Sequence, residues 1–423
     1  MHASKQSSSS DTLRNERAPA VPPNGGRTAW LQVLGCHFLF FNSWGIVNAF
    51  GAYQDFYSTH YLTSNSASAV SWIGTIQGFL MICVGVITGP LYDMGYLHYL
   101  IYIGTFLNVF GLMMTSLSTA YYQVFLSFGV CVGLGSACLF VPSVAIVATW
   151  FTTKRSAATG LAAAGGSLGG LIYPIVFRKL EITIGYGWAT RVIGFISFGT
   201  LLVSAMVLKP RILPPKKRAL LDRTAFKDMP FILFSLSLFF IFIGLYIPFF
   251  YMPSYATEKI HTSQSLGFYL LAILNAASIF GRIIPNIIAD KYGSLNILAP
   301  FILVAGGLQF AWIGIHNLAG IIVFCILFGF FSGSIVSLPP TALVTLSPDL
   351  SVIGTRMGMC FSFAGLGLLI GNPIAGAILT GKSGFMGLKA FGGATVIVGF
   401  VCMAMAWLVH KRGIARGTAV IEK

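Results

Sequence analysis

Apolar runs of roughly 17 to 25 residues, the length a helix needs to cross a bilayer, recur along the whole chain between short polar breaks. Twelve such runs begin near Leu31, Val70, His98, Tyr122, Ala157, Thr190, Phe231, Leu266, Asn296, Leu318, Thr355 and Leu388. They predict an all-α membrane protein with twelve transmembrane helices. An even number of spans places both termini on one side of the membrane.

The second six spans repeat the first six at an offset of about 198 positions. Gly135, Ser136 and Pro142 of span 4 correspond to Gly333, Ser334 and Pro340 of span 10, and Gly160 and Gly169 of span 5 to Gly358 and Gly367 of span 11. Asp93 after span 2 corresponds within one residue to Asp290 after span 8. A duplicated six-span bundle marks a transporter that alternates access by rocking two halves about a midplane site. The predicted organisation is a polar, disordered tail over 1–28, a six-helix half over 29–208, a basic linker over 209–228, a second half over 229–410 and a tail over 411–423. The first tail has no apolar signal-peptide core, so the first span is expected to act as the targeting signal.

Composition agrees with the pattern: 56% of the 423 residues are hydrophobic and 9% charged, with a mean hydropathy of +0.82. Soluble domains carry far more charge. The net charge of +15 is a matter of topology. Nineteen of the 26 Lys and Arg fall in the tails and even-numbered loops, against five (Arg178, Lys179, Lys259, Lys382 and Lys389) on the other face. By the positive-inside rule both termini are cytoplasmic, and the basic surface reads as a translocation signal and lipid contact, not as a nucleic-acid site. The expected location is the cell (plasma) membrane. All seven cysteines lie within spans without metal-ligand spacing, so neither disulfides, metals nor other cofactors are expected.

Spans 5 and 11 are rich in small residues, including Gly165, Gly166, Gly169 and Gly170 in one and Gly365, Gly367 and Gly371 in the other. Such stretches allow close helix approach, whether static or sliding. Pro142, Pro174, Pro248, Pro339, Pro340 and Pro373 are candidate kinks. Two motif matches fail on context. GAILTGKS (Gly376 to Ser383) fits the phosphate-loop pattern but ends a membrane helix where a strand is required. GGSLG (Gly165 to Gly169) fits the hydrolase elbow, yet Ser167 sits in a membrane span, and no acid is expected deep in any span. Ser167 reads as a packing residue, and the chain is not expected to be an enzyme.

GPLYDMG (Gly89 to Gly95) and ADKYG (Ala289 to Gly293) resemble the loop motif G-x-x-x-D-x-x-G of the major facilitator superfamily. The first copy is one residue short and lacks the usual basic residues, and the second has Asn286 for the leading Gly. The resemblance implies the major facilitator fold and a structural latch role for Asp93 and Asp290. Within that superfamily the chain is similar to the monocarboxylate porter family, especially its fungal members, over residues from about 30 to 412. FNSWGIVNAFGAYQDFY in span 1, KRSAATGLAAAGGSLGGLIYP at span 5 and LLAILNAASIFGRIIPNIIADKYG at span 8 carry the likeness. In animal members the span-8 arginine binds substrate carboxylate, while an aspartate one turn earlier and a span-1 lysine take part in proton coupling. Arg282 matches the arginine. Ser278 stands where the aspartate would be, and Val47 and Asn48 where the lysine would be. Protons stay the candidate coupling ion, with His37 the candidate substitute.

Arg282 is in any case the anomaly of the pattern, a cation inside the apolar run Leu266 to Ile288. Intramembrane ionisable residues mark substrate or ion paths unless they are paired, and a planar guanidinium suits a carboxylate. Asp290 lies roughly 12 Å further along the helix, too far to neutralise it. Asn42, Asn48, Gln77, Tyr173, Tyr246, Asn275, Ser278 and Asn372 are the further candidate substrate contacts, and Phe140, Phe249, Phe250 and Tyr251 candidate walls. One cation, several amides and aromatic walls suit an organic acid with a sizeable apolar body. The expected function is secondary transport of a monocarboxylate or other organic anion, by uptake or by efflux of a secondary metabolite. A non-transporting nutrient receptor on a carrier fold is the alternative.

Overall fold

The computed structural model describes residues 23–211, 222–347 and 353–415. Most of the predicted N-terminal tail, the middle of the linker (212–221) and the last eight residues lie outside that range. Eleven helices among the described residues are long and apolar enough to span a membrane. One of them, Arg155–Val207, joins two helices across Gly185, whose φ of 79° and ψ of 165° are not helical. The two parts restore the predicted twelve.

The spans are α1 (Arg27–Tyr61), α2 (Ala67–Asp93), α3 (Leu97–Thr115), α4 (Tyr121–Trp150), α5 (155–184), α6 (186–207), α7 (Met229–Lys259), α8 (Gln264–Tyr292) and α9 (Ser294–Gly314). They continue with α10 (Leu318–Ser337, prolonged by Pro339–Leu346), α11 (Ile353–Thr380) and α12 (Gly384–Ala415). The first helix begins two residues inside the predicted tail, and the last runs five residues past the predicted boundary at 410. GAILTGKS ends α11 and turns into α12, with no strand near it among the described residues.

Local chemistry sets where the helices start and break. At one end of the bundle Ser66, Ser263 and Asn317 cap α2, α8 and α10 by accepting N–H bonds from Ala69, Leu266 and Gly320, which satisfies donors that a helix start leaves open. α1 breaks at Ser43, whose Oγ bonds back to the Leu39 carbonyl at 2.8 Å, a substitution of side chain for backbone that bends helices. α7 breaks at the corresponding place, Tyr246, two residues before Pro248, and α10 at Leu338 before the Pro339–Pro340 pair. Helices run on through Pro142, Pro174 and Pro373.

The halves meet along two seams, α5 against α8 and α2 against α11. Side chains such as Tyr99, Phe106, Phe195, Met206, Phe280 and Ile287 stand exposed on the outside of the bundle, as a lipid-facing surface requires. The end that carries both described termini is identified by contacts: Asn24 bonds to the Trp150 carbonyl, the Lys209 N–H donates to Gln32, and Trp407 donates to Asn296.

At that end the linker is tied down. Arg356, at the start of α11 and 1% exposed, pairs through Nε with Asp222 at 2.9 Å and through Nη1 with Asp228 at 2.5 Å. It also lies over the Phe231 ring at 5.3 Å. Burial alone would raise the Asp222 carboxyl, but hydrogen bonds from Thr224 and the Arg356 guanidinium bring it below the usual carboxylate range. A depressed carboxylate contributes stability that is present above its unfolded value, about 4, and is lost as pH falls through the lower folded value. Arg356→Ala is therefore expected to cost about 2 kcal/mol at neutral pH, seen as a lower Tm of the detergent-purified protein. The gap from the wild type should shrink as the pH is taken below about 4.

Candidate functional site

The site is organised by α5, whose small residues leave room for α1 on one side and α8 on the other. At Gly166 a β-carbon would stand 2.8 Å from Trp44 Cβ and 3.3 Å from Arg282 Nη1. At Gly170 it would stand 2.7 Å from Asn48 Cβ and would collide with the Asn275 amide. The missing side chains thus let α1 and α8 approach α5 around one centre.

Arg282 occupies that centre, 1% exposed. Its Nη1 donates to the Ala163 carbonyl of α5 at 2.9 Å, while Nε has no protein partner. The guanidinium neither reaches the surface nor meets an acid: among the described residues no carboxylate is within ion-pair distance of it. Tyr246 is its electrostatic neighbour and stacks on Trp44 with ring centroids 5.8 Å apart. Asn48 donates to the Gly166 carbonyl at 3.2 Å, and Asn275 to Leu271 of its own helix. The acceptor oxygens of both amides, the Tyr246 hydroxyl and the Trp44 indole N–H are buried without a protein partner. Buried polar groups are almost always paired, so this concentration calls for water or a polar ligand. Ser278 bonds to Ser167 across the α5–α8 seam at 3.0 Å, the packing role its small side chain suits.

A cavity of about 320 Å³ opens at the end carrying the termini. Asp93, Arg155, Thr149 and Thr341 line its mouth, and Phe140, Val141, Val144 and Phe361 its interior. A narrower pocket of about 20 Å³ continues it to Phe40, Trp44, Ala163 and Phe242. The cavity thus stops at Trp44 and Ala163, one side chain short of Arg282.

The other predicted residues fall elsewhere. Asn42 and Tyr173 bond to each other at 2.7 Å, and Asn42 also donates to Thr200 of α6 and to Phe38, forming a network inside the first six helices. Gln77 and Asn372 are buried with both amide atoms lacking protein partners, and among the described residues no hydrogen bond joins them to the Arg282 cluster. The Asn372 carbonyl accepts from Tyr251. His37 is bonded to the Leu161 carbonyl at 2.9 Å. Asp290 reaches across the α5–α8 seam, accepting from the Ser156 and Ala157 N–H groups at 2.9 and 3.0 Å. It therefore caps the start of α5, where free N–H groups and the helix dipole favour an anion. Asp93 ends α2 at the cavity mouth.

One acid does lie within a span, near its end. Asp55 is an acid within a span, 1% exposed, because α1 does not stop after one bilayer length but runs to Tyr61 through a π-turn over Tyr57–Tyr61. Lys389, counted above with the outer-face charges, is buried as well: its Nζ lies 3.7 Å from the Tyr255 ring centroid and bonds to the Trp312 carbonyl at 3.0 Å. Position in a run identifies neither residue; the only signal for Asp55 was an acid in an apolar context, AFGAYQDFY.

Comparison with known proteins agrees with this arrangement. The sequence profile of the Major Facilitator Superfamily matches residues 33–349. "MFS-type transporter dbaD" of Emericella nidulans is 48% identical over 404 residues, which cover 92% of this chain and 91% of that protein. "Aspyridones efflux protein apdF" of the same organism is 39% identical, covering 93% of this chain and 81% of that protein. "MFS transporter asaE" of Aspergillus flavus is also 39% identical, covering 96% and 92%. On the profile match and these relatives, the chain belongs to the Major Facilitator Superfamily and is a multi-pass membrane transporter, not an enzyme.

Proposed function

We propose that the transporter exports an organic anion, a metabolite with one acidic group on a sizeable apolar body, and that Arg282 binds the acid. The observation that carries this is the guanidinium itself, buried with a single carbonyl partner and no acid. Leaving such a charge without a counterion is costly, and a substrate carboxylate or similar oxyanion supplies the partner. Trp44, Tyr246, Asn48 and Asn275 then surround it, and the largely aliphatic cavity beyond Trp44 takes the apolar body. The efflux direction is supported by the name of the Emericella nidulans relative that is an aspyridones efflux protein. The monocarboxylate-porter type of site is the reading of the span-8 segment around Arg282.

Both termini are cytoplasmic in this reading, on the bias of Lys and Arg, and the membrane is the plasma membrane. The cavity then faces the cytoplasm, where an exporter loads. Units over 29–208 and 229–410 rock against each other, and Asp290 latches the α5–α8 seam at the cytoplasmic end while the cavity opens on the flank lined by α2, α4, α10 and α11.

Labelled organic acids in proteoliposomes, with and without a pH gradient, test the site. Arg282→Ala is expected to weaken apparent affinity on the order of 30-fold or more, about 2 kcal/mol. Arg282→Lys should not restore it, because a point charge cannot make the guanidinium's forked contacts. Anion flux unchanged in Arg282→Ala would remove the reading. For the latch, Asp290→Ala should lower thermal stability by about 1 kcal/mol through the lost cap and raise the rate at which the α5–α8 seam opens, measured by hydrogen exchange at the start of α5. Asp290→Asn should fall between, keeping an acceptor but not the charge.

A further inference from the structure

At the end opposite the cavity the two sets of helices are in direct contact. Gly51 of α1 abuts the Phe249 carbonyl of α7, and at Gly376 of α11 a β-carbon would stand 2.8 Å from the Ser68 backbone of α2. Ser68 also donates to the Pro373 carbonyl at 3.0 Å. The buried carboxylate of Asp55 sits in this closed end, and its partners come from the other half of the molecule. Oδ1 accepts from Ser254 of α7 at 3.2 Å, and Oδ2 from the Gln264 amide at the start of α8 at 3.0 Å. The same amide nitrogen is shared with Thr59 of α1 at 3.3 Å, and the Gln264 oxygen is hydrogen-bonded to His60 Nε2 at 3.2 Å. His60 itself is exposed, so the chain His60, Gln264, Asp55 runs from the surface to the buried acid.

The charges facing Asp55 come from each element packed on it. His60 lies on its own helix, Arg178 on α5, and Glu258 beside Lys259 on α7. Arg178 is committed to Glu181 at 3.0 Å and to Ser265 at 3.2 Å. Among the described residues no cation comes within ion-pair distance of Asp55. Its charge is held by neutral donors, and those donors lie on the other half.

We propose that Asp55 is the proton-binding site of this gate: the carboxylate holds the end shut, and a proton taken from the adjoining solvent opens it. The step is simple protonation, in which one carboxylate oxygen forms an O–H bond and the charge is cancelled. Hydrogen bonds to an ionised acceptor are roughly twice as strong as neutral ones, so the bonds from Ser254 and Gln264 weaken together. The acid also gains a hydrogen that faces donors which formerly pointed at it. The proton site and the Arg282 site are separate, one at an end and one at the centre, so gating by pH stands or falls independently of what Arg282 binds.

The test needs no substrate. Spin labels at Thr63 and Lys382, both exposed loop positions on either side of the gate, report its opening in nanodiscs, after subtraction of label taken up by the native cysteines. Between about pH 8 and about pH 5 the open population of the wild type is expected to rise about tenfold, the scale of losing charge assistance. Asp55→Asn should be open at both pH values to a similar extent, and Asp55→Glu should keep a pH response. An Asp55→Asn variant that retains the wild-type response overturns the proposal, as does a wild type that ignores pH. His60→Gln should leave the response in place; if it abolishes the response, the imidazole is the sensor and Asp55 is not. Should Asp55→Asn fail to fold, the pair Ser254→Ala with Gln264→Leu keeps the acid and removes its donors. That variant should be more open at about pH 8 than the wild type, and an unchanged closed population there refutes the lock.

Discussion

A guanidinium in the middle of a helical bundle has to be solvated by something, and the packing around Arg282 is arranged by that need. Its one protein partner is a backbone carbonyl of α5, within reach only because Gly166 carries no side chain where α1, α5 and α8 converge. Charge and close packing are therefore a single constraint here. Any bulk added to that face of α5 displaces the cation, and any displacement of α5 alters how the cation is held. A helix that must stay narrow to keep a charge in place is also the helix whose tilt changes the charge's surroundings.

One end of the bundle is shut across its whole width, and the other on one flank only. At the end opposite the cavity, backbone meets backbone at Gly51 and Gly376, and a single acid gathers donors from two helices of the other half. At the end carrying the termini, Asp290 gathers two N–H groups of α5 on one flank, while the other flank opens into the apolar cavity. Both devices are carboxylates accepting from neutral donors across a seam between halves. Hydrogen bonds of that kind are strong enough to bias a population but not to make one state permanent, a balance suited to a molecule that has to change shape in every cycle.

Much of this was legible in the chain, because a bilayer imposes length and composition on each span. The runs, the two-fold repeat and the small-residue character of span 5 correspond to helices and contacts that are present. The turn between α5 and α6 was read as a break between runs, and it is one residue wide. Less legible was anything decided by which helix faces which. Arg356 counted only as a loop charge, yet it is buried between two acids of the linker. Lys389 counted as an outer-face charge, yet it sits on aromatic rings. Asn42 and Tyr173 have the polarity of ligand contacts, but they spend it on each other. Run length places no burial on Asp55, whereas α1 is prolonged to Tyr61 and tertiary partners bury the acid. Sequence pattern states what a segment tolerates; partners across a seam depend on the rotation of two helices, which no single run encodes.

The junction at Gly185 has a mechanical consequence. Most neighbouring spans in a membrane bundle are joined by loops that absorb relative motion, but α5 and α6 are coupled through one residue in a left-handed conformation that suits glycine. That leaves almost no slack. A tilt of α5 away from α8 is handed to α6 as a rotation about a fixed point, and from α6 to α1 through the Ser204 bond to Gly35 and the Thr200 bond to Asn42. In the proposed rocking of the halves this puts a pivot at the end farthest from the cavity, so that a displacement at the Arg282 centre would grow towards the end where the cavity opens.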